Sequence, residues 1–247
     1  MKILVTPRSF GKTDPKAFDM LAEAGFTVVR NDTGGIMTAE QISEALADCD
    51  GVILGVDPLN KDVLDAAPNL KAVAKYGVGT DNIDLDECKR RGIKVTITVG
   101  ANANAVADYA LALMLAVARK VIPVDAQCRK GDWSKTSSVD VYGKTLGLIG
   151  LGAIGKGVAK RAKGFDMRVL AYDVYWDGAY AASAGIQRAD LETIYRECDF
   201  ISLHVPLTDA TRSMIGEREL AMMKPECVLV NTARGGIVDE DALLSAL

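Results

Sequence analysis

Gly150-Leu151-Gly152-Ala153-Ile154-Gly155 joins an apolar run at 145–149 to an Ala/Lys/Arg-rich helical stretch ending near Lys163. A strand, turn and helix in this order can cradle a pyrophosphate. Gly150 permits the tight turn, Gly152 lets the backbone approach the phosphates, and Gly155 lets the helix pack closely on the strand. Free N–H groups and the positive end of the helix dipole then face the anion. Three glycines alone are a weak signal, since they also mark ordinary βαβ turns. The flanking sequence adds weight: a second strand-like run, 167–172, ends at Asp173, 18 residues beyond Gly155 (173 − 155). A carboxylate there can accept hydrogen bonds from both ribose hydroxyls. Val174 and Tyr175 come next, with no arginine to meet a 2′-phosphate, so the pattern favours NAD over NADP.

Working outward, apolar runs alternate with helical patterns along the whole chain. Strands are expected at 3–6, 27–30, 51–55, 71–75 and 94–98, with helices near 15–24, 38–47, 61–66 and 84–91. After an Ala-rich helix at 104–119 and an irregular stretch at 121–142, a second set begins. Its strands are expected at 146–149, 168–172, 200–204 and 228–231, and its helices at about 154–163, 191–197, 217–222 and 240–247. Short continuous Val/Ile/Leu runs separated by helices imply parallel strands buried on both faces. The expected fold is therefore α/β, with two doubly wound parallel-sheet lobes at 1–100 and 101–247. Ligands of such sheets bind at the C-terminal ends of the strands. The helical pattern at 239–247 has no capping turn after it, and four strands stand where a full nucleotide lobe has six, so the chain reads as C-terminally truncated.

Bulk properties narrow the class. With 247 residues, 49% hydrophobic and 25% charged, the chain has the profile of a soluble globular enzyme. A net charge of −4 and no dense Lys/Arg run argue against a nucleic-acid partner. Five dispersed cysteines without CxxC spacing suit reduced thiols in the cytoplasm better than a disulfide framework or a zinc site. The most apolar run, 105–118, is too short to span a bilayer and contains Asp108, so no membrane partner is expected.

Three further segments come directly after strands and carry candidate chemistry. In 75–82, Gly77 and Gly79 could expose consecutive backbone amides to a carboxylate; the alternative is a turn in which Asp84 opens the next helix. In 231–236, Arg234 directly follows a strand and precedes two glycines, which presents its planar fork to a carboxylate and an adjacent carbonyl; the alternative is a surface arginine. In 204–208, His204 is the only histidine, which invites an acid–base role. Its position at a strand end beside Pro206 fits a structural histidine or a wall of the cofactor site better. Arg8 also lies just after a strand end, and could meet a substrate anion or be a simple loop arginine.

Taken together, these residues resemble the D-isomer-specific 2-hydroxyacid dehydrogenases, most closely the phosphoglycerate-dehydrogenase-like branch. The phrases GLIGLGAIG (147–155), HVPLT (204–208) and VNTARGGIVDEDAL (230–243) are specific in combination. The resemblance implies a flavodoxin-like substrate lobe, a Rossmann NAD-binding lobe, and hydride transfer between NAD and a D-2-hydroxy or 2-oxo acid. It implies that Ala153 and Ile154 lie under the pyrophosphate, that Asp173 holds the ribose, and that Val205 and Pro206 flank the adenine side. Thr232 and Ala233 would line the nicotinamide. Val78 and Gly79 would bind the substrate carboxylate through N–H groups, and Arg234 would grip carboxylate and C2 oxygen. A homodimer through the 104–119 region is implied, with burial inside one subunit the alternative for that helix.

The family also uses a proton-exchanging His and an orienting Glu downstream of the Arg-Gly-Gly segment. The sequence stops before either, so turnover by that route is not expected from these residues alone. Phosphoglycerate-specific members carry a basic residue after the third strand. Here 55–60 offers Asp57 instead, leaving glyoxylate, hydroxypyruvate or another small 2-oxo acid open, with Arg8 or Lys61 the alternative source of a compensating charge. A catalytically silent NAD(H)-binding sensor is the competing reading.

Overall fold

Short runs of branched apolar residues become parallel strands; those at 51–54, 145–149 and 200–203 are buried along most of their length, whereas 72–75 alternates exposed and buried and 27–30 and 94–97 are largely uncovered. The computed structural model describes residues 1–247, which divide into two compact units, Met1–Ala101 and Asn102–Leu247. The first unit runs β1 (Lys2–Val5), α1 (Lys16–Glu23), β2 (Thr27–Arg30), α2 (Ala39–Leu46), β3 (Gly51–Leu54), α3 (Lys61–Asp65), β4 (Ala72–Lys75), α4 (Leu85–Arg90) and β5 (Lys94–Ile97). Its strands are all parallel in the order β2-β1-β3-β4-β5, the flavodoxin-like order. Helix starts are set by local chemistry. Thr38 and Gln41 form a reciprocal capping box on α2, Asn60 accepts from the Val63 amide to open α3, and Asp84 accepts from the Glu87 amide to open α4.

The second unit runs α5 (Ala103–Ala118), α6 (Val121–Arg129), β6 (Thr145–Ile149), α7 (Ala153–Ala162), β7 (Arg168–Tyr172), α8 (Gly178–Ala184), β8 (Gln187–Arg188), α9 (Leu191–Glu197), β9 (Phe200–Leu203), α10 (Glu217–Met222), β10 (Val228–Asn231) and α11 (Glu240–Ala246). The parallel order is β10-β9-β6-β7-β8, which in sequence terms is the Rossmann order without its sixth strand. Alternation along β6 divides the core: Leu146 and Leu148 enter one apolar cluster with Val158 and Phe200, and Ile149 enters another with Ile194 and Ile201. Helix α5 buries Ala107, Ala110, Leu111, Met114 and Ala118, a stripe of helical period, and crosses α7 where Gly157 meets Ala107. Any side chain at Gly157 would stand 3.0 Å from the Ala107 Cβ, so the glycine sets how closely the two helices approach.

Two expectations are corrected. The stretch 121–142 is not wholly irregular, because α6 fills its first part. Lys120, at φ +51°, breaks α5 and starts α6, and Pro123 falls in the first turn, where its missing N–H costs nothing. No α6 residue is buried, so the sequence carries no apolar stripe to reveal it. The nucleotide unit also has five strands, not four, because β8 is only two residues long. No helix in the molecule is long and apolar enough to cross a membrane.

Candidate functional site

The strand order of the second unit reverses between β6 and β9, and the chain's glycine turn lies there. Gly150 takes φ +103°, and a Cβ on it would stand 2.6 Å from the carbonyl oxygen of His204. Gly155 is tighter still, since its Cβ would meet the Gly150 oxygen at 2.2 Å. Both are therefore glycine for reasons internal to the fold. Gly152 is different. It is the N-cap of α7, in extended backbone (φ −74°, ψ −160°), and nothing in the protein lies within 4 Å of where its side chain would be. Its open space faces outward, over helix amides that no side chain caps. The first helical bond of α7 belongs to Lys156, which donates to the Gly152 carbonyl, so the amides of Ala153, Ile154 and Gly155 remain for an external acceptor.

Asp173 stands at the end of β7 beside this turn. Its Oδ2 accepts from the Leu151 N–H at 2.6 Å and its Oδ1 from the Tyr175 N–H at 2.7 Å. Each oxygen keeps a second lone pair, so the carboxylate is fixed in place and still able to accept from a diol. Val174 and Tyr175 beside it are exposed.

His204 ends β9 under the glycine turn. One ring nitrogen, Nε2, shares a hydrogen bond with the buried Ser202 hydroxyl at 3.0 Å, while Nδ1 is out of solvent with no partner. Burial pushes its pKa down to about 4, so the ring is neutral near pH 7. Val205 packs against the same turn, its Cγ1 3.2 Å from the position a Gly150 Cβ would take, and Pro206 is exposed. At the end of the neighbouring strand β10, the Thr232 hydroxyl is likewise buried and unpartnered. Two orphaned polar atoms on adjacent strand ends, beside an uncapped helix, are what a site completed by a polar ligand leaves when only protein is counted.

Arg234 is exposed and comes after β10 in a turn that Asn231 holds. The Asn231 side chain accepts from the Ala233 N–H at 3.0 Å and donates to the Arg234 carbonyl at 2.7 Å. Nη1 of Arg234 donates to the Ala233 carbonyl at 2.7 Å, which folds the guanidinium over its own turn. The sequence motifs do not mark Asn231; its Asx-turn chemistry, with the Ala233 amide two residues on, is the signal that points to it.

In the first unit, the strand ends of β1, β3 and β4 surround a cavity of about 390 Å³ that includes Arg8, Val56, Asp57 and Tyr76. Gly77 (φ +145°) does not present its amide to a ligand. That N–H donates to the Lys75 carbonyl and to the Thr98 hydroxyl, each at 2.9 Å. The next two N–H groups, of Val78 and Gly79, bond nothing in the protein, so the expected amide pair narrows to these two. Asp57 is buried: its carboxylate accepts from the Thr6 hydroxyl and, at 2.8 Å, from the Met37 N–H. Arg8 is exposed and donates to the Gly34 carbonyl at 2.7 Å.

With that geometry in place, comparison with known proteins decides the family. Residues 111–247 match the D-isomer specific 2-hydroxyacid dehydrogenase, NAD binding domain. The chain belongs to the D-isomer-specific 2-hydroxyacid dehydrogenases. It is 46% identical to the glyoxylate reductase of Korarchaeum cryptofilum over 83% of this chain and 64% of that one. It is 39% identical to the D-3-phosphoglycerate dehydrogenase of Methanocaldococcus jannaschii over its full length and 46% of the relative. The solved D-lactate dehydrogenase of Aquifex aeolicus, complexed with NAD and lactic acid, superposes with a TM-score of 0.84 at 32% identity, covering 99% of this chain and 72% of that one. The chain thus spans less than two thirds of the length of these first two relatives. Its second unit carries the family's NAD binding domain.

Proposed function

We propose that the protein is an NAD-dependent oxidoreductase that interconverts a D-2-hydroxy acid and a 2-oxo acid, with the first unit receiving the substrate and the second the dinucleotide. The observation that carries this reading is the uncapped N-terminus of α7 behind Gly152, with Asp173 fixed beside it. Ala153 and Ile154 offer amides to the pyrophosphate, and Asp173 accepts from the ribose. Val205 and Pro206 wall the adenine side, and Thr232 and Ala233 line the nicotinamide. His204 and Ser202 form the floor under the turn. Bound NAD supplies the hydride acceptor.

On the substrate side, the Val78 and Gly79 amides hold the carboxylate, and Arg234 grips carboxylate and C2 oxygen, polarising the carbonyl of a 2-oxo acid. His204 is an unsuitable proton donor, because burial keeps its ring neutral down to about pH 4. His204, the one histidine in the sequence, is therefore not read as the family's proton-exchanging His. The two substrate-binding features, Arg234 and the amide pair, favour an enzyme over a pure NAD(H) sensor.

We read the assembly as a homodimer through the α5 region. One stripe of α5 is buried within its own unit, yet Tyr109, Val117, Val121 and Ile122 stay more than half exposed. All five cysteines are free, which suits a cytoplasmic setting. Calorimetry of the chain with NADH, then with glyoxylate, hydroxypyruvate and pyruvate on the NADH-loaded protein, tests the function. NADH binding followed by 2-oxo acid binding that Arg234→Gln weakens at least about ten-fold is expected. Absence of NADH binding would overturn it. Light scattering of Ile122→Asp beside the unmutated chain tests the dimer.

A further inference from the structure

Several cations of the first unit are matched by acids. Lys2 pairs with Asp48, Lys61 with Asp65, Lys71 with Asp50, Arg90 with Glu87, and Arg91 with both Glu87 and Asp65. Arg8 and Lys12 form no ion pair, and both line the cavity of about 390 Å³ at the ends of β1, β3 and β4. Unpaired cations converging on one concave surface make a site for an anion.

The rest of the lining agrees. Ile36 and Val56, 58% and 65% exposed, together with Tyr76 give the cavity apolar walls, as a carbon chain between two polar ends requires. The one acid present, Asp57, is 2% exposed and has both oxygens turned to Thr6 and Met37. Behind the wall, the buried Lys75 donates to the Gly55 carbonyl and to Asn82, adding positive charge that opposes that of Asp57. Position also fits. Tyr76 lines the cavity, and the free amides of Val78 and Gly79 begin two residues later, a span of at most about 7 Å. The volume would hold roughly a dozen waters, more than a two-carbon acid can fill.

We infer that this cavity is a second anion subsite, in which Arg8 and Lys12 bind a distal carboxylate or phosphate on the substrate, so that the preferred substrate is a 2-hydroxy or 2-oxo acid carrying an anionic group at its far end. The inference rests on the hydroxy-acid reading of this unit and adds the substrate class. It also relocates the positive charge: the chain has Asp57 after β3, where phosphoglycerate-specific members carry a base, and supplies cations instead from the loop after β1.

The test is calorimetry on the NADH-loaded chain with two matched pairs of 2-oxo acids: 2-oxoglutarate against 2-oxovalerate, and 3-phosphohydroxypyruvate against hydroxypyruvate. The charged member of at least one pair is expected to bind about ten-fold to a hundred-fold tighter. Preference in the first pair alone identifies a carboxylate, and in the second alone a phosphate. Arg8→Gln and Lys12→Gln should each collapse that ratio, and Arg8→Lys should keep most of it. NADH affinity, read in the same titration, verifies that each variant is folded. Equal binding within both pairs, or a ratio unchanged in both glutamine variants, overturns the subsite and leaves the hydroxy-acid reading standing. Failure of all four acids to bind a chain that still binds NADH overturns both.

Discussion

The two sheets share a plan and differ most in the connection that leaves their first strand. After β6 the chain needs only Gly150, Leu151 and Gly152 to enter α7, so the helix amides stand at the strand end. After β1, residues 6–15 intervene before α1, and anion-binding capacity passes to loop cations and to the amides after β4. Side-chain helix caps occur in both units. In the first unit α2, α3 and α4 are capped by Thr38, Asn60 and Asp84, each consuming an amide internally, while α1 starts at Pro15 without a side-chain cap. In the second, α8, α9 and α11 are capped by Asp177, Asp190 and Asp239; α5, α6, α7 and α10 have no side-chain cap, and of these only α7 starts directly from a glycine turn at a strand end. A capped helix start is finished within the protein; the uncapped start of α7, brought to the strand end by a three-residue glycine turn, leaves its amides for a ligand.

The sharpest way to break that comparison is at Gly150. Gly150→Ala places a methyl 2.6 Å from backbone at a φ of +103°, so the turn must shift. Strain of about 1–3 kcal/mol, added to the clash, should lower the melting temperature of the second unit and abolish NADH binding together. A variant with unaltered melting would show that the turn is not held as described. Gly152 separates the two effects. Its backbone matches that of the caps Thr38 and Asn60, and its side-chain space is empty. Gly152→Asp should therefore cap α7, raising stability by a few tenths of a kcal/mol. NADH affinity should nevertheless fall about a hundred-fold, close to 2.7 kcal/mol, because the new carboxylate takes the amides and repels the pyrophosphate. Equal NADH binding in calorimetry would mean that α7 is not the phosphate site.

The sequence made the plan of both sheets legible because buried parallel strands must be continuous apolar runs, as in Phe200–Leu203 and Gly51–Leu54. It hid α6 and β8, which contribute no buried residues, and α8, whose seven residues bury only Ala181. In the site, residues whose reason is a backbone shape were visible: Gly150, Gly155 and the acid at Asp173. Residues acting through a partner far along the chain were not. Thr98 holds the Gly77 amide from 21 residues away, and Thr6 and Met37 absorb the charge of Asp57, which in the sequence stands where a ligand contact is sought. Spacing reveals what neighbours do for each other, and only the folded register reveals the rest.

A smaller effect distinguishes the units by acid. The folded pKa of His204, about 4, lies below its unfolded value near 6.5. The second unit accordingly keeps its full stability above about pH 6.5 and loses it as pH falls through 4, by about 2 kcal/mol at pH 5 and about 3 at the limit. Most carboxylates are still ionised at pH 5, so urea unfolding between pH 7 and 5 should report chiefly this group. His204→Asn should flatten that slope in the second unit and leave the first unchanged. An equal slope in the variant would assign the acid sensitivity elsewhere.

The smallest expected effect is the control for the caps. Thr38→Ala removes the side-chain acceptor of the α2 capping box, freeing the Gln41 amide, and should cost about 1 kcal/mol. The loss belongs to the first unit, so NADH affinity should not move. If removing this cap weakened NADH binding as much as Gly152→Asp does, the distinction between finished and unfinished helix starts would fail, and the two units would be coupled in a way that caps do not describe. If only stability moves, the opposite responses at Thr38 and Gly152 share one physical cause: an amide at a helix start is satisfied either by the chain or by its ligand, and a side chain placed there chooses between them.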